Sequence, residues 1–153
     1  MNQRLPNAFE LADMVDRVTR EWANLAARPA GLPAPGPANL PLEFSVDFAG
    51  PLTLRMVLRC GEDLGAEMAE SSTGDPGARA LAVDAFREFV NQVAQHWILR
   101  RPSTFPRPRK AGLALASEPK GWPQRVPDAS VVVMVDAFPL ELRLWLLQAA
   151  DAV

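Results

Sequence analysis

The feature that most limits how this chain can fold is a change in its hydrophobic period. Leu42, Phe44, Val46 and Phe48 alternate with Glu43, Ser45 and Asp47, and Leu52, Leu54, Met56 and Leu58 alternate with Thr53, Arg55, Val57 and Arg59. Successive side chains of a strand point to opposite faces, so each run offers one face for burial. Ala49-Gly50-Pro51 separates the runs as a turn signal, and the pair predicts an antiparallel hairpin. Before it the period is helical. Leu11, Val15, Val18, Trp22 and Leu25 recur at steps of four and three, which predicts a helix from about Pro6 to Ala27. Asn7 with Glu10 forms a capping box at its start, and Arg28-Pro29 ends it.

After the hairpin, "CGEDLGAEMAESSTG" predicts a short helix carrying Leu64 and Met68 inward. Asp75-Pro76 then reads as an N-cap and first helical position, opening a long helix that reaches Arg100. The last third returns to strands at Ala111–Ser117, Ser130–Asp136 and Leu140–Leu147, with Ala137-Phe138-Pro139 as the turn between the last two. Helix, two strands, two helices, three strands is the order of an α+β fold with helices packed on a mostly antiparallel sheet.

The length, 153 residues, suits a single domain over 1–153. The 15 prolines cluster, and Arg28–Pro41 holds five of them, which predicts a stiff proline-rich linker at 28–41. A net charge of −2, from 16 basic and 18 acidic residues, offers no footprint for nucleic acid or an anionic membrane. One cysteine and one histidine allow neither an internal disulfide nor a metal cluster of the usual kind. No apolar run approaches a membrane span and the N-terminal residues lack a secretory pattern, so a cytoplasmic protein is expected.

The long helix carries a second pattern in "DAFREFVNQVAQH". At about 100° per residue, Glu88, Asn91 and Gln95 fall within about 40° of Asp84. Phe86, Phe89, Val90, Val93 and Trp97 gather on the other side, so a polar ridge is expected opposite the core face. Asn is a poor helix former, costing a few tenths of a kcal/mol relative to Ala. A solvated face explains the polarity of the ridge but not this choice of residue.

Asp84, Glu88 and Asn91 reproduce a D-x-x-x-E-x-x-N signature. The chain here resembles the CheC/CheX/FliY response-regulator phosphatases of bacterial chemotaxis. The order of hairpin, short helix with "GEDLGAEMAES", motif helix and terminal strands follows the same family, and a single motif helix is most similar to the CheX branch. The resemblance implies a phosphatase acting on the aspartyl phosphate of a phosphorylated CheY-like receiver domain. Asn91 would hold the attacking water. Glu88 would pair with the receiver's phosphate-contacting lysine. Asp84 and Gln95 would support the docking surface. It implies no cofactor of the chain's own, a Mg2+ ion that belongs to the partner receiver, and a homodimer. The chain departs from the CheX pattern in having Gln95-His96-Trp97 where a small residue is usual. A non-catalytic receiver-binding adaptor with the same fold is therefore the alternative.

Other residues carry less. Glu21 and Asn24 form a second E-x-x-N, but Arg17 stands where Asp or Ser would precede it and Glu21 flanks the apolar stripe, so chance is the better account. His96 beside Trp97 is expected to pack or cap, and Cys60 at a strand end to be buried and inert. Arg100, Arg101, Arg107, Arg109 and Lys110 are expected to form a solvated basic cluster. Trp145 falls opposite Leu140, Leu142, Leu144 and Leu146, which predicts a last strand covered on both faces, one of them by another strand or a second subunit.

Overall fold

The computed structural model describes residues 5–30, 40–48, 54–100, 123 and 125–147, with the backbone alone for 98–100. The expected strand at 111–117, the turn at 49–51, most of the proline linker and the basic cluster lie outside the described residues.

Helix α1 (Ala8–Val18) begins with the expected capping box. The Glu10 backbone N–H donates to Asn7 Oδ1 at 2.9 Å, and the Asn7 N–H donates to Glu10 Oε1 at 3.2 Å. The helix does not continue to Ala27. It widens into a π-helical turn (Thr19–Ala23) and stops at Asn24, whose φ of 55° is left-handed. Asn tolerates that conformation better than most residues, which gives this half of the second E-x-x-N a role in ending a helix. The carboxylate of Asp16 fixes the path beyond Asn24: it accepts from the Ala27 N–H at 2.8 Å and from Arg20 Nε at 2.8 Å. That anchor delivers a short strand, β1 (Ala27–Pro29), to the sheet where the sequence suggested only a helix end and a linker.

The remaining strands are β2 (Leu42–Phe48), β3 (Leu54–Cys60), β4 (Ala129–Val135) and β5 (Phe138–Leu146). Their order in the sheet is β1-β4-β5-β3-β2, with every pairing antiparallel. The turn between β4 and β5 lies at Asp136-Ala137, so Phe138 and Pro139 already belong to β5. Asp136 takes a left-handed φ of 56°, and its N–H donates to the Ala26 carbonyl, which holds the hairpin end against the start of β1. The registers place apolar residues in rows across one face: Leu42, Cys60, Leu140 and Val133 in one, Phe44, Leu58, Leu142 and Val131 in the next, Val46, Met56, Leu144 and Ala129 in a third. Most of these side chains are fully buried against the helices.

The opposite face carries a charge ladder in the alternate rows. Glu43, Arg59 and Glu141 lie side by side, as do Asp47, Arg55 and Trp145. Arg55 grips Asp47 through two hydrogen bonds, of 2.8 and 3.0 Å. Glu141 accepts from both Arg59 and Arg143. Ser45, Val57, Arg59, Glu141 and Trp145 are all buried within the chain. The Trp145 indole N–H donates to the Arg125 carbonyl at 3.1 Å, and Asp128 accepts from the Leu146 N–H at 2.7 Å, so the segment before β4 lies along the end of β5. Burial of Trp145 therefore needs no second subunit.

Helix α2 (Glu62–Thr73) follows β3 and ends at Gly74 with φ 73°. Asp75 caps the next element through the Gly77 N–H at 2.9 Å, as its Asp-Pro sequence predicts. That element is a 3-10 helix (Pro76–Leu81), and the α-helical winding of α3 (Ala82–Arg100) starts only after it. Helix α3 packs on α2, on α1 and on β2. Phe86 meets Phe44, Phe89 meets Trp22 and Trp97 meets Phe48, with ring centroids 5.7–6.1 Å apart. The approach of α3 to α2 depends on Gly65. A Cβ there would lie 2.8 Å from the Ala82 carbonyl oxygen and 2.9 Å from Leu42 Cδ1.

Gly65→Ala tests that contact. In an open helix the change would stabilise by about 1 kcal/mol. Here the opposing group is a backbone carbonyl, and overpacking of this kind costs about 1–3 kcal/mol, so the clash wins. Against a backbone group that cannot yield, the upper part of that range applies, so the expected result is a net loss of up to about 2 kcal/mol in urea denaturation, whereas an unchanged or raised midpoint would show that the helices do not meet at this residue.

Candidate functional site

The E-x-x-N residues sit midway along α3, the helix whose aromatic side chains are anchored on β2 and the π-helical turn. Phe86, Phe89, Val90, Val93 and Trp97 have no exposed surface, so the orientation of the helix is fixed by its core face. Asp84, Glu88 and Gln95 are exposed, as the sequence predicts. The Glu88 carboxylate accepts from Gln92 Nε2 at 2.8 Å, a bond one turn along the helix that holds the acid on the outer surface.

Asn91 does not share that exposure, and only 7 % of its surface is accessible. The expected ridge of four outward side chains is thus a ridge of three with a covered amide between them. The cause lies in how coverage changes along the helix. Arg87, near the start, is exposed with its guanidinium carbon 5.0 Å from the centroid of the Phe44 ring, whereas Ala94, two turns later on the same flank, is fully buried. The buried sector therefore widens toward the second half of α3 and takes in Asn91. A helical wheel assigns one angle to each residue and assumes equal burial at every turn, so it could not register this. The apolar residues Val93, Ala94 and Trp97 that follow the motif were the only signal in the sequence, and the structure buries all three fully.

The remaining candidates resolve simply. Glu21 lies in the π-helical turn and Asn24 ends it, so the second E-x-x-N is not presented on a regular helix. His96 is half-buried beside a fully buried Trp97. Cys60 is buried, and desolvation pushes its thiol pKa up, only partly offset by the backbone N–H of Gly65. Arg79 bridges Glu67 and Glu70 at 3.1 and 2.8 Å, and these two carboxylates raise its already high pKa. Among the described residues no group of three or more His, Cys, Asp or Glu is placed to hold a metal ion, and no helix is long and apolar enough to cross a membrane.

Cys60 gives a direct check on this packing. A disulfide-exchange reagent should leave the native thiol unlabelled at about pH 8 and label it fully in urea, because only the thiolate reacts. The folded thiol keeps its proton at pH values where the unfolded chain has lost its own. Its contribution to stability is thus complete below the ordinary thiol range and falls away as the pH rises above it. Rapid native labelling would contradict the burial.

No protein-family model matches the sequence, and no curated protein matches it either. Solved structures do match. A chain in the crystal structure of a CheX–CheY–BeF3–Mg2+ complex from Borrelia burgdorferi superposes with a TM-score of 0.59. The match covers 95 % of this chain and 100 % of that one at 12 % identity. The chemotaxis protein CheX from Vibrio vulnificus superposes with a TM-score of 0.58, covering 86 % of this chain and 91 % of that one at 14 % identity. Helices packed on an antiparallel sheet, the fold class expected from the sequence, are thus matched across most of the chain, and the protein has the fold of the CheX proteins.

Proposed function

We propose that the chain docks on a phosphorylated CheY-like receiver domain through α3 and hydrolyses its aspartyl phosphate. The observation that carries this reading is Glu88, an exposed carboxylate held outward by Gln92 one helical turn before Asn91, on the helix that bears the D-x-x-x-E-x-x-N residues. The fold supports it, since a similar structure is a CheX–CheY complex that contains Mg2+.

The chemistry asked of each side chain is limited. Hydrolysis forms a bond from a water oxygen to phosphorus and breaks the bond from phosphorus to the receiver's aspartyl oxygen, and the water's proton leaves with the phosphate or to solvent. The Asn91 amide can accept from that water through its carbonyl and donate to a phosphoryl oxygen through its NH2. It does not titrate, so its effect is positioning, which can supply several kcal/mol. Glu88 pairs with a lysine of the receiver and sets the register of α3 over the phosphate, while Asp84 and Gln95 extend the contact along the ridge. The Mg2+ ion belongs to the receiver and supplies charge neutralisation at the phosphoryl group.

With only 7 % of Asn91 accessible, this mechanism requires docking to uncover the amide. The fraction of molecules with the amide free sets the penalty on apparent affinity. The same burial favours a second reading, in which α3 binds the receiver through Glu88 and its exposed neighbours and the amide serves the fold alone. In that case the chain is a receiver-binding adaptor without hydrolytic activity. The homodimer implied by the resemblance belongs with either reading, and Trp145 gives it no support because that side chain is already covered within the chain.

Phosphate loss from a radiolabelled receiver separates the two. The parent protein should accelerate it, and Asn91→Ala should reduce the acceleration by about 100-fold or more, equivalent to about 2.7 kcal/mol, while the receiver still binds. Receiver binding with no acceleration by the parent protein would establish the adaptor reading instead. An Asn91→Ala protein as active as its parent would remove the amide from the mechanism.

A further inference from the structure

Glu88 has two neutral amides within reach along its own helix. Asn91 stands three residues on and Gln92 four, the spacings at which helical side chains meet. At about 100° per residue, Asn91 lies about 60° to one side of Glu88 and Gln92 about 40° to the other. The structure gives the bond to Gln92, whose Nε2 donates to the Glu88 carboxylate at 2.8 Å. The acid is thereby drawn to the flank of α3 away from Asn91. Gln92 is half-buried where Glu88 is exposed, so the donor is the more restrained member of the pair.

The charges around Glu88 are arranged to the same end. A lysine four residues after a glutamate stabilises a helix surface, yet position 92 holds an uncharged amide. The other helical neighbours of Glu88 are Asp84, Ala85 and Asn91, so none of the four is a cation. Asp84, one turn earlier, is a like charge, an arrangement that weakens a helix. Arg87 adjoins Glu88 in the chain, but its guanidinium carbon lies 5.0 Å from the Phe44 ring centroid. Arg79 is held by Glu67 and Glu70. A neutral donor orients a carboxylate without cancelling its charge, which a lysine could not do. We propose that Gln92 is a positioning residue of the docking site. Its amide holds the Glu88 carboxylate clear of Asn91 and leaves the negative charge for the receiver's lysine. This inference rests on the receiver-docking reading and adds to it a residue outside the D-x-x-x-E-x-x-N signature.

The test uses the full chain and the CheY-like receivers of the same organism, each loaded with BeF3− and Mg2+, with affinity measured by calorimetry. Gln92→Met keeps an unbranched, helix-favouring side chain and removes the donor. It should bind about 3- to 10-fold more weakly than the parent. In the hydrolysis assay KM should rise by a similar factor while kcat stays within about twofold. In a Glu88→Gln background the same change should alter affinity by less than about twofold, because Gln92 acts through the carboxylate. Gln92→Lys supplies an internal cation. It should keep the urea midpoint at or above that of the parent and yet weaken binding at least about 10-fold. A role in the fold alone predicts instead that affinity follows the midpoint. A Gln92→Met protein that binds as tightly as its parent would overturn the positioning role and leave the docking reading standing. An equal loss in both backgrounds would overturn it in the same way. A parent that binds none of the receivers would sink the docking reading, and the role with it.

Discussion

The register between β3 and β5 is the constraint on which the rest of the molecule depends. These strands are adjacent in the sheet although α2 and α3 separate them in the chain. Their pairing sets Arg59 beside Glu141 on one face and Leu58 beside Leu142 on the other. A slip of one residue would exchange the faces, driving Glu141 and Arg143 into the helix-packed core and turning Leu140, Leu142 and Leu144 toward the charge ladder. Arg59 and Glu141 are both buried, so their pairing must be met in full. Removing one partner from such a pair costs about 3–5 kcal/mol, because the other charge stays buried. The pair is better regarded as a register device than as net stabilisation, since well-packed apolar residues often do as well energetically.

Because one face of the sheet is charged and closed along β5, the apolar face is the one that receives the helices. Phe44 and Phe48 on β2 take Phe86 and Trp97, and those contacts fix the rotation of α3 about its axis. Rotation of α3 decides which side chains face outward, so the exposure of Glu88 follows from aromatic packing on its far side. The same packing draws the second half of the helix deeper and covers Asn91. The polar ridge is thus a by-product of core geometry, and Asn91 is the member that the geometry hides.

Much of this architecture could be read from the residues. The alternation over 42–58 marked β2 and β3, the capping box fixed the start of α1, and Asp75-Pro76 marked a cap. What escaped were features whose cause lies elsewhere in the chain. Strand β1 has three residues, too few to show a period, and exists because Asp16 anchors Ala27 and β4 supplies its hydrogen bonds. The second E-x-x-N was already attributed to chance, but the left-handed turn at Asn24 that ends the helix leaves no local pattern and was not foreseen. The coverage of Trp145 depends on the Arg125–Asp128 segment, which adjoins β5 only after folding. The candidate site divides in the same way. The positions of Asp84, Glu88 and Gln95 followed from the helical angle alone, whereas the burial of Asn91 came from neighbours the helical period cannot report.

The most direct test of the account is the side-chain amide of Asn91, followed by NMR in asparagine-labelled protein without and with a receiver carrying BeF3− and Mg2+. The account predicts an amide sheltered from solvent in the free chain whose resonance moves strongly in the complex, together with the Glu88 backbone. If the Glu88 signal moves while the Asn91 amide stays unchanged, the receiver docks but the amide never reaches its phosphate, and the hydrolytic mechanism is contradicted.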